Sequence, residues 1–160
     1  IGVDPYYLAY KSLKVGHRPD MIIAGRKIND NMAFYFAEQL RKLMIKKKIK
    51  TKNSKILIMG FSFKENCPDF RNSKIPDLIK GIKKYSSSVD VYDPWVKKND
   101  VKKLYGIELI EKPFKRKYSA IVLAVAHDDF KKMTTNQLNR LVTKNYVIYD
   151  LKYLLWEQWY

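Results

Sequence analysis

A lysine and an arginine stand seven residues apart in Gly60-Phe61-Ser62-Phe63-Lys64-Glu65-Asn66-Cys67-Pro68-Asp69-Phe70-Arg71-Asn72-Ser73, directly after the apolar run Ile56 to Met59. An ammonium is a compact point charge and a guanidinium a planar bidentate fork, and both suit phosphate oxygens. From residue types alone, an ordinary charged loop reads equally well. The stretch lacks the three-glycine fingerprint of a dinucleotide-binding turn, so it is not a standard NAD-binding half.

Other side chains with chemical potential are fewer. Cys67 is the only cysteine, which excludes an intrachain disulfide and fits a reducing cytoplasm. His17 and His127 are far apart and lack metal-ligand spacing, so no metal is expected. His127 could line a ligand cleft, although Asp128 and Asp129 beside it read better as the start of a helix. Asp93 follows an apolar run, where a dinucleotide fold holds ribose, yet a turn with Pro94 explains it as well.

The elements that must position these groups change character near residue 53. Before it, Ile28, Met32, Phe36, Leu40 and Leu43 recur at steps of three and four, with Ala33, Ala37 and Met44 widening the stripe. This spacing predicts an amphipathic helix over 28–48. A shorter helix is predicted from Tyr6 to Leu13, ended by the Gly16-His17-Arg18-Pro19 turn. Two helices alone make a poor core, so this part is expected to pack on another domain or on a second copy.

After it, β-branched runs alternate with helical patterns. Strands are predicted at 56–59, 89–92, 107–110, 120–125 and 146–149, and helices at 73–85, 96–104 and 135–142. The expected class is α/β, a Rossmann-like, mostly parallel sheet with flanking helices. Its ligands should lie at the carboxyl ends of the strands, after Met59, Tyr92 and Val125.

The 160 residues carry a net charge of +16, which raises the possibility of nucleic-acid binding. Of the 32 basic residues only six are arginine, and the 26 lysines are dispersed apart from a cluster at 46–52. That pattern reads better as a solvated surface, and no nucleic acid is expected as partner. The hydrophobic content of 46% argues for a folded protein, and no apolar run nears the roughly 20 residues of a membrane span. Nothing in Ile1 to Tyr10 resembles a secretory leader, and a first residue other than Met suggests a piece of a longer protein.

The loop string resembles the signature that opens the C-terminal domain of the UDP-glucose/GDP-mannose dehydrogenase family, in which Phe-Lys is followed by an acidic or Asn-containing turn, Asp-Xaa-Arg and Ser. The resemblance continues in Val89-Asp90-Val91-Tyr92-Asp93-Pro94, in the Ala120 to Ala126 run and in Ile148-Tyr149-Asp150. Ile1-Gly2-Val3-Asp4-Pro5-Tyr6-Tyr7-Leu8 is similar to the sequence that follows the family's catalytic cysteine, which would stand immediately before Ile1.

The resemblance implies an intact enzyme that oxidises the C6 hydroxymethyl group of a nucleotide sugar to a carboxylate with two NAD⁺ in succession, through a cysteine thiohemiacetal and thioester. It implies substrate contacts at Phe63, Lys64, Tyr6 and Tyr7, a water-orienting role for Asp4, and an NAD contact for Arg71. A helix N-cap before Pro5 is a compatible role for Asp4. Cys67 falls at a variable position of the motif. Residues 1–52 would be the remainder of a central helical dimerisation domain, pairing two copies through the helix at 28–48, and 53–160 the UDP-sugar-binding domain.

Val3 stands where many UDP-glucose dehydrogenases carry Lys. The strings are closer to the bacterial branch acting on UDP-N-acetylhexosamines for surface polysaccharide synthesis, with UDP-glucose as the alternative substrate. Two readings from other classes remain open: a basic nucleic-acid-binding module, and a purely structural oligomerisation domain. The chain alone is expected to be inactive.

Overall fold

The computed structural model describes residues 3–86, 88–115 and 117–155. The run Lys55–Met59 forms β1, buried on both sides. It is followed by α3 (Ile75–Lys83), β2 (Ser88–Tyr92), α4 (Lys98–Tyr105), β3 (Tyr118–Leu123), α5 (Asp128–Lys131), α6 (Thr135–Asn139) and β4 (Val142–Asp150). Ahead of the sheet come α1 (Asp4–Lys14), α2 (Asp20–Lys46) and a single 3-10 turn at Thr51–Asn53.

The strands lie in the order β2-β1-β3-β4 and every pairing is parallel. Ile56 is aligned with Val89 on one side and with Ala120 on the other. Alternation along β1 sends Ile56 and Ile58 to one face and Leu57 and Met59 to the opposite face. Both faces are covered by helices, so the strands read as continuous apolar runs.

The expected fifth strand is reduced to one parallel bridge between Val91 and Leu109. Left-handed Gly106 ends α4 just before it, and Glu108 turns out to pair with Lys102; Leu109 is buried, while Ile107 and Ile110 are only partly buried against the core. The helix predicted over 135–142 stops at Asn139, because the Leu141 carbonyl accepts from the Lys117 and Tyr118 amides at the start of β3.

The long helix begins earlier than its spacing suggested and presents a rotated face. Ala33, Ala37, Leu40 and Met44 are buried, whereas Ile28 is 66% exposed and Leu43 38%. The small residues decide this. Ala37 meets Gly81 so closely that a methyl group on Gly81 would lie 2.7 Å from the Ala37 Cβ. The Tyr85 hydroxyl donates to the Ala37 carbonyl at 2.9 Å across the same contact. The C-terminal half of α2 is thus part of the core on one face of the sheet. The helix α1 buries only Ala9 and leaves Tyr7, Leu8, Tyr10 and Leu13 exposed. Among the described residues, no helix is long and apolar enough to cross a membrane.

Candidate functional site

Where β1 ends, the chain turns through Gly60 at φ +99°, and a Cβ there would come within 2.5 Å of the Val125 side chain. Only glycine lets the loop after β1 pass this close to the end of β3. The Gly60 amide donates to the Tyr92 carbonyl, so three strand ends converge at one point.

The loop is held from beneath by Asp93. Its carboxylate accepts from the amides of Phe61 (2.6 Å), Ser62 (2.9 Å) and Trp95 (2.7 Å), and faces His127 Nε2 at 3.0 Å. Burial pushes the Asp93 pKa up, but the bonds from His127 and the three amides outweigh it and hold the group below the usual carboxylate range. His127 is wholly buried.

Above this base lies a cleft of about 940 Å³ between the strand ends, α2 and the start of α3. Lys64, Arg26, Lys74 and Lys152 bring four cations to its lining, and Asp30, Glu65 and Asp77 bring three carboxylates. Phe36, Met32 and Ala33 from α2, with Leu78 from α3, form an apolar wall. The α3 N-terminus opens into the cleft at Ser73 to Asp77, with Pro76 in its first turn. Its dipole favours an anion, although the Ile75 amide already donates to Ser73 Oγ at 3.2 Å and Pro76 has no N–H to offer. Among the described residues Lys64 has no carboxylate within ion-pair distance; its ammonium lies 5.6 Å from the Phe63 ring centroid.

Asp30 ties the parts together. It accepts from the Tyr6 hydroxyl, from Lys74 at 2.8 Å and from Arg26 at 3.4 Å. The bonds from Lys74 and Tyr6 hold its pKa at about 2. The α1 helix, α2 and the segment entering α3 therefore meet on one carboxylate.

The sequence-selected residues separate accordingly. Phe63, Lys64 and Tyr6 line the cleft. Tyr7 is 70% exposed and outside it, as is Asp4, which is exposed at the start of α1. The N-cap position belongs to Val3 and no side chain caps the helix there, which corrects the capping role expected of Asp4. Arg71 is also outside the lining: it forks onto Asp69 through Nε (3.0 Å) and Nη2 (2.9 Å), facing solvent, and holds the Asp69 pKa at about 2. Lys64 and Arg71 therefore do not share one cleft in this chain.

Sequence reasoning passed over Arg26, Asn29 and Asp30. Their spacing of three and four puts all three on one helix face, a polar interruption beside Ile28 and Met32 that could have been noticed. The simple-turn reading of Asp93 is also superseded, since its partners lie up to 34 residues away. Asp128 and Asp129 do open a short helix, with His127 at its N-cap position. Among the described residues, no group of three or more His, Cys, Asp or Glu could hold a metal ion.

Residues 57–157 match the UDP binding domain of the UDP-glucose/GDP-mannose dehydrogenase family. The chain belongs to that family. Two UDP-N-acetyl-D-glucosamine 6-dehydrogenases resemble it over 155 residues: that of Salmonella typhi is 49% identical and that of Pseudomonas aeruginosa 46%. Each alignment covers 97% of this chain, but only 36% and 37% of the relative. The chain thus spans little more than a third of the length of these relatives. Among solved structures, a UDP-D-ManNAc dehydrogenase of Pyrococcus horikoshii superposes with a TM-score of 0.75 at 26% identity, covering 93% of this chain and 33% of that one. The cleft lies at the carboxyl ends of the strands, the edge at which parallel α/β sheets bind their ligands.

Proposed function

We propose that this chain is the nucleotide-sugar-binding, C-terminal part of an NAD-dependent dehydrogenase that oxidises the C6 hydroxyl of a UDP-N-acetylhexosamine to a carboxylate, in the cytoplasm, for surface polysaccharide synthesis. The observation that carries the reading is the cleft itself. Lys64 has no carboxylate partner among the described residues and stands at the ligand edge of the sheet, with Lys74 and the α3 N-terminus lining the same space. Lys74 is held by Asp30, so the Lys64 charge and the α3 dipole are the groups offered to a pyrophosphate, and the wall of Met32, Ala33, Phe36 and Leu78 offers apolar cover for a base or an acetyl methyl group. The names of the Salmonella typhi and Pseudomonas aeruginosa relatives favour an N-acetylhexosamine over glucose.

NAD is proposed as the cofactor of the whole protein. Among the described residues the turn after β1 offers no cradle for it, because the Phe61 and Ser62 amides already donate to Asp93. Arg71, exposed beyond the cleft, is the proposed contact with NAD held by another part of the protein. Asp4 would orient water beside a catalytic cysteine expected just before Ile1, and Tyr7 would join the substrate contacts from the same helix. Residues 1–52 are proposed as the remainder of a helical dimerisation domain and 53–160 as the UDP-sugar-binding domain. The exposed side chains Ile28, Tyr35 and Ile45 of α2 are available to a second copy. The reading calls for no metal, membrane or nucleic acid.

The test is calorimetric titration of the chain with UDP and UDP-N-acetylglucosamine. A charge-assisted bond contributes about 1.5–3 kcal/mol, so Lys64→Ala should weaken UDP about ten-fold or more. Equal affinity in both proteins would remove Lys64 from the site. Salt-sensitive binding to random duplex DNA with no response to UDP would favour the basic-module reading instead.

A further inference from the structure

His127 is a fully buried polar side chain that the proposed chemistry does not use, and its hydrogen bonds run to the two ends of the segment that carries Lys64. At one end, the Asn66 amide donates to His127 Nδ1 at 2.9 Å. A nitrogen that accepts an amide proton carries none of its own, so the ring proton must be on Nε2. That one proton is shared between two acceptors, the Asp93 carboxylate at 3.0 Å and the Ser62 hydroxyl oxygen at 3.1 Å. The Ser62 hydroxyl in turn donates to the Lys64 carbonyl at 2.7 Å. Both ends of Ser62-Phe63-Lys64-Glu65-Asn66 are therefore tied to one imidazole, with Lys64 at the midpoint.

The imidazole has little freedom to move. Trp95 stacks against it, with centroids 6.0 Å apart and planes 14° from parallel, and Phe130 meets it edge-on at 5.3 Å. Asn66 is in the left-handed region at φ 53° and its side-chain oxygen accepts from the Asp128 amide at 3.0 Å, closing the same link from the other side. By contrast, the Lys64 ammonium has no carboxylate partner among the described residues, so the backbone beneath it sets the region its flexible stem can reach.

We propose that His127, as the neutral Nε2–H tautomer oriented by Asp93, is a positioning residue that sets the Lys64 loop for a nucleoside diphosphate, through Asn66 on one side and Ser62 on the other. The proposal rests on the reading that Lys64 grips the pyrophosphate. A histidine that merely fills the core would stabilise the fold without any specific link to Lys64.

The test is a double-mutant cycle on the whole chain, read by UDP calorimetry and by urea denaturation. His127→Asn retains an acceptor near Nδ1 for the Asn66 amide, and His127→Gln retains a donor near Nε2 for Asp93. Ser62→Ala removes only the relay to the Lys64 carbonyl and decides the question should the histidine variants not fold. Each folded variant is expected to weaken UDP three- to ten-fold, and the loss is expected to vanish when Lys64→Ala is already present. Unchanged UDP affinity in folded Ser62→Ala, or losses that simply add to that of Lys64→Ala, would overturn the proposal while leaving the UDP reading intact. A wild-type chain that does not bind UDP, or a Lys64→Ala chain that binds as tightly as wild type, would overturn both.

Discussion

A methyl group added at Gly81 tests whether α2 belongs to the core of the sheet domain. It would lie 2.7 Å from the Ala37 Cβ, whereas ordinary contact begins near 3.4 Å, so the two helices must part by several tenths of an ångström or more. Neither atom is at the end of a flexible side chain, and the strain passes to the backbones. Overpacking of this kind costs about 1–3 kcal/mol. Replacing glycine in a helix returns about 0.8–1 kcal/mol of propensity. The net expectation for Gly81→Ala is a loss of about 1 kcal/mol, or about 2–4 °C in Tm for a chain of this size. The exchange Ala37→Gly with Gly81→Ala moves the methyl group from one helix to the other and balances propensity, so it should return to within about 0.5 kcal/mol of wild type. Urea denaturation followed by tryptophan fluorescence or circular dichroism gives all four corners of the cycle. Stabilisation by Gly81→Ala, or effects that simply add, would show that the close approach of α2 to α3 does not exist.

Three further outcomes follow from the site. Asp30 has a folded pKa of about 2, below the ordinary 3.8, so its contribution is present above about pH 4 and lost as pH falls towards 2. Asp30→Asn should flatten the acid side of the stability profile in that window, and an unchanged slope would mean that Lys74 and Tyr6 do not hold the carboxylate. Gly60→Ala forces a side chain onto a positive φ and into Val125, which should cost about 3 kcal/mol or more; a normal denaturation midpoint would contradict the convergence of strand ends. Incubated with NAD⁺ and UDP-N-acetylglucosamine, the chain by itself should produce no NADH, and any turnover would refute the assignment of the nucleophile to a cysteine outside it.

Much of this protein could be read in its residues because the forces involved act over short distances. The unbroken apolar run Ile56 to Met59 marked a strand buried on both faces, and the turn formers after it marked the loop that carries Lys64. The motif around Phe63 and Lys64 pointed to the family before any fold was known, and residues 57–157 match its UDP binding domain. The weak run at 107–110 forms a single bridge because one buried residue, Leu109, satisfies the pattern without sustaining a strand.

What the sequence determined by itself was the kind of element at each position and the charge and hydrogen-bonding capacity offered at the end of β1. Tertiary structure alone decided which groups meet. The buried face of α2 was set by the fit of Ala37 against Gly81, 44 residues away, and not by the larger Ile28 and Leu43. Asp93 and His127, 34 residues apart, met because β2 and β3 flank β1. Periodicity records a residue's neighbours within a few turns of chain, while the order of strands in a sheet is set by packing the whole chain at once.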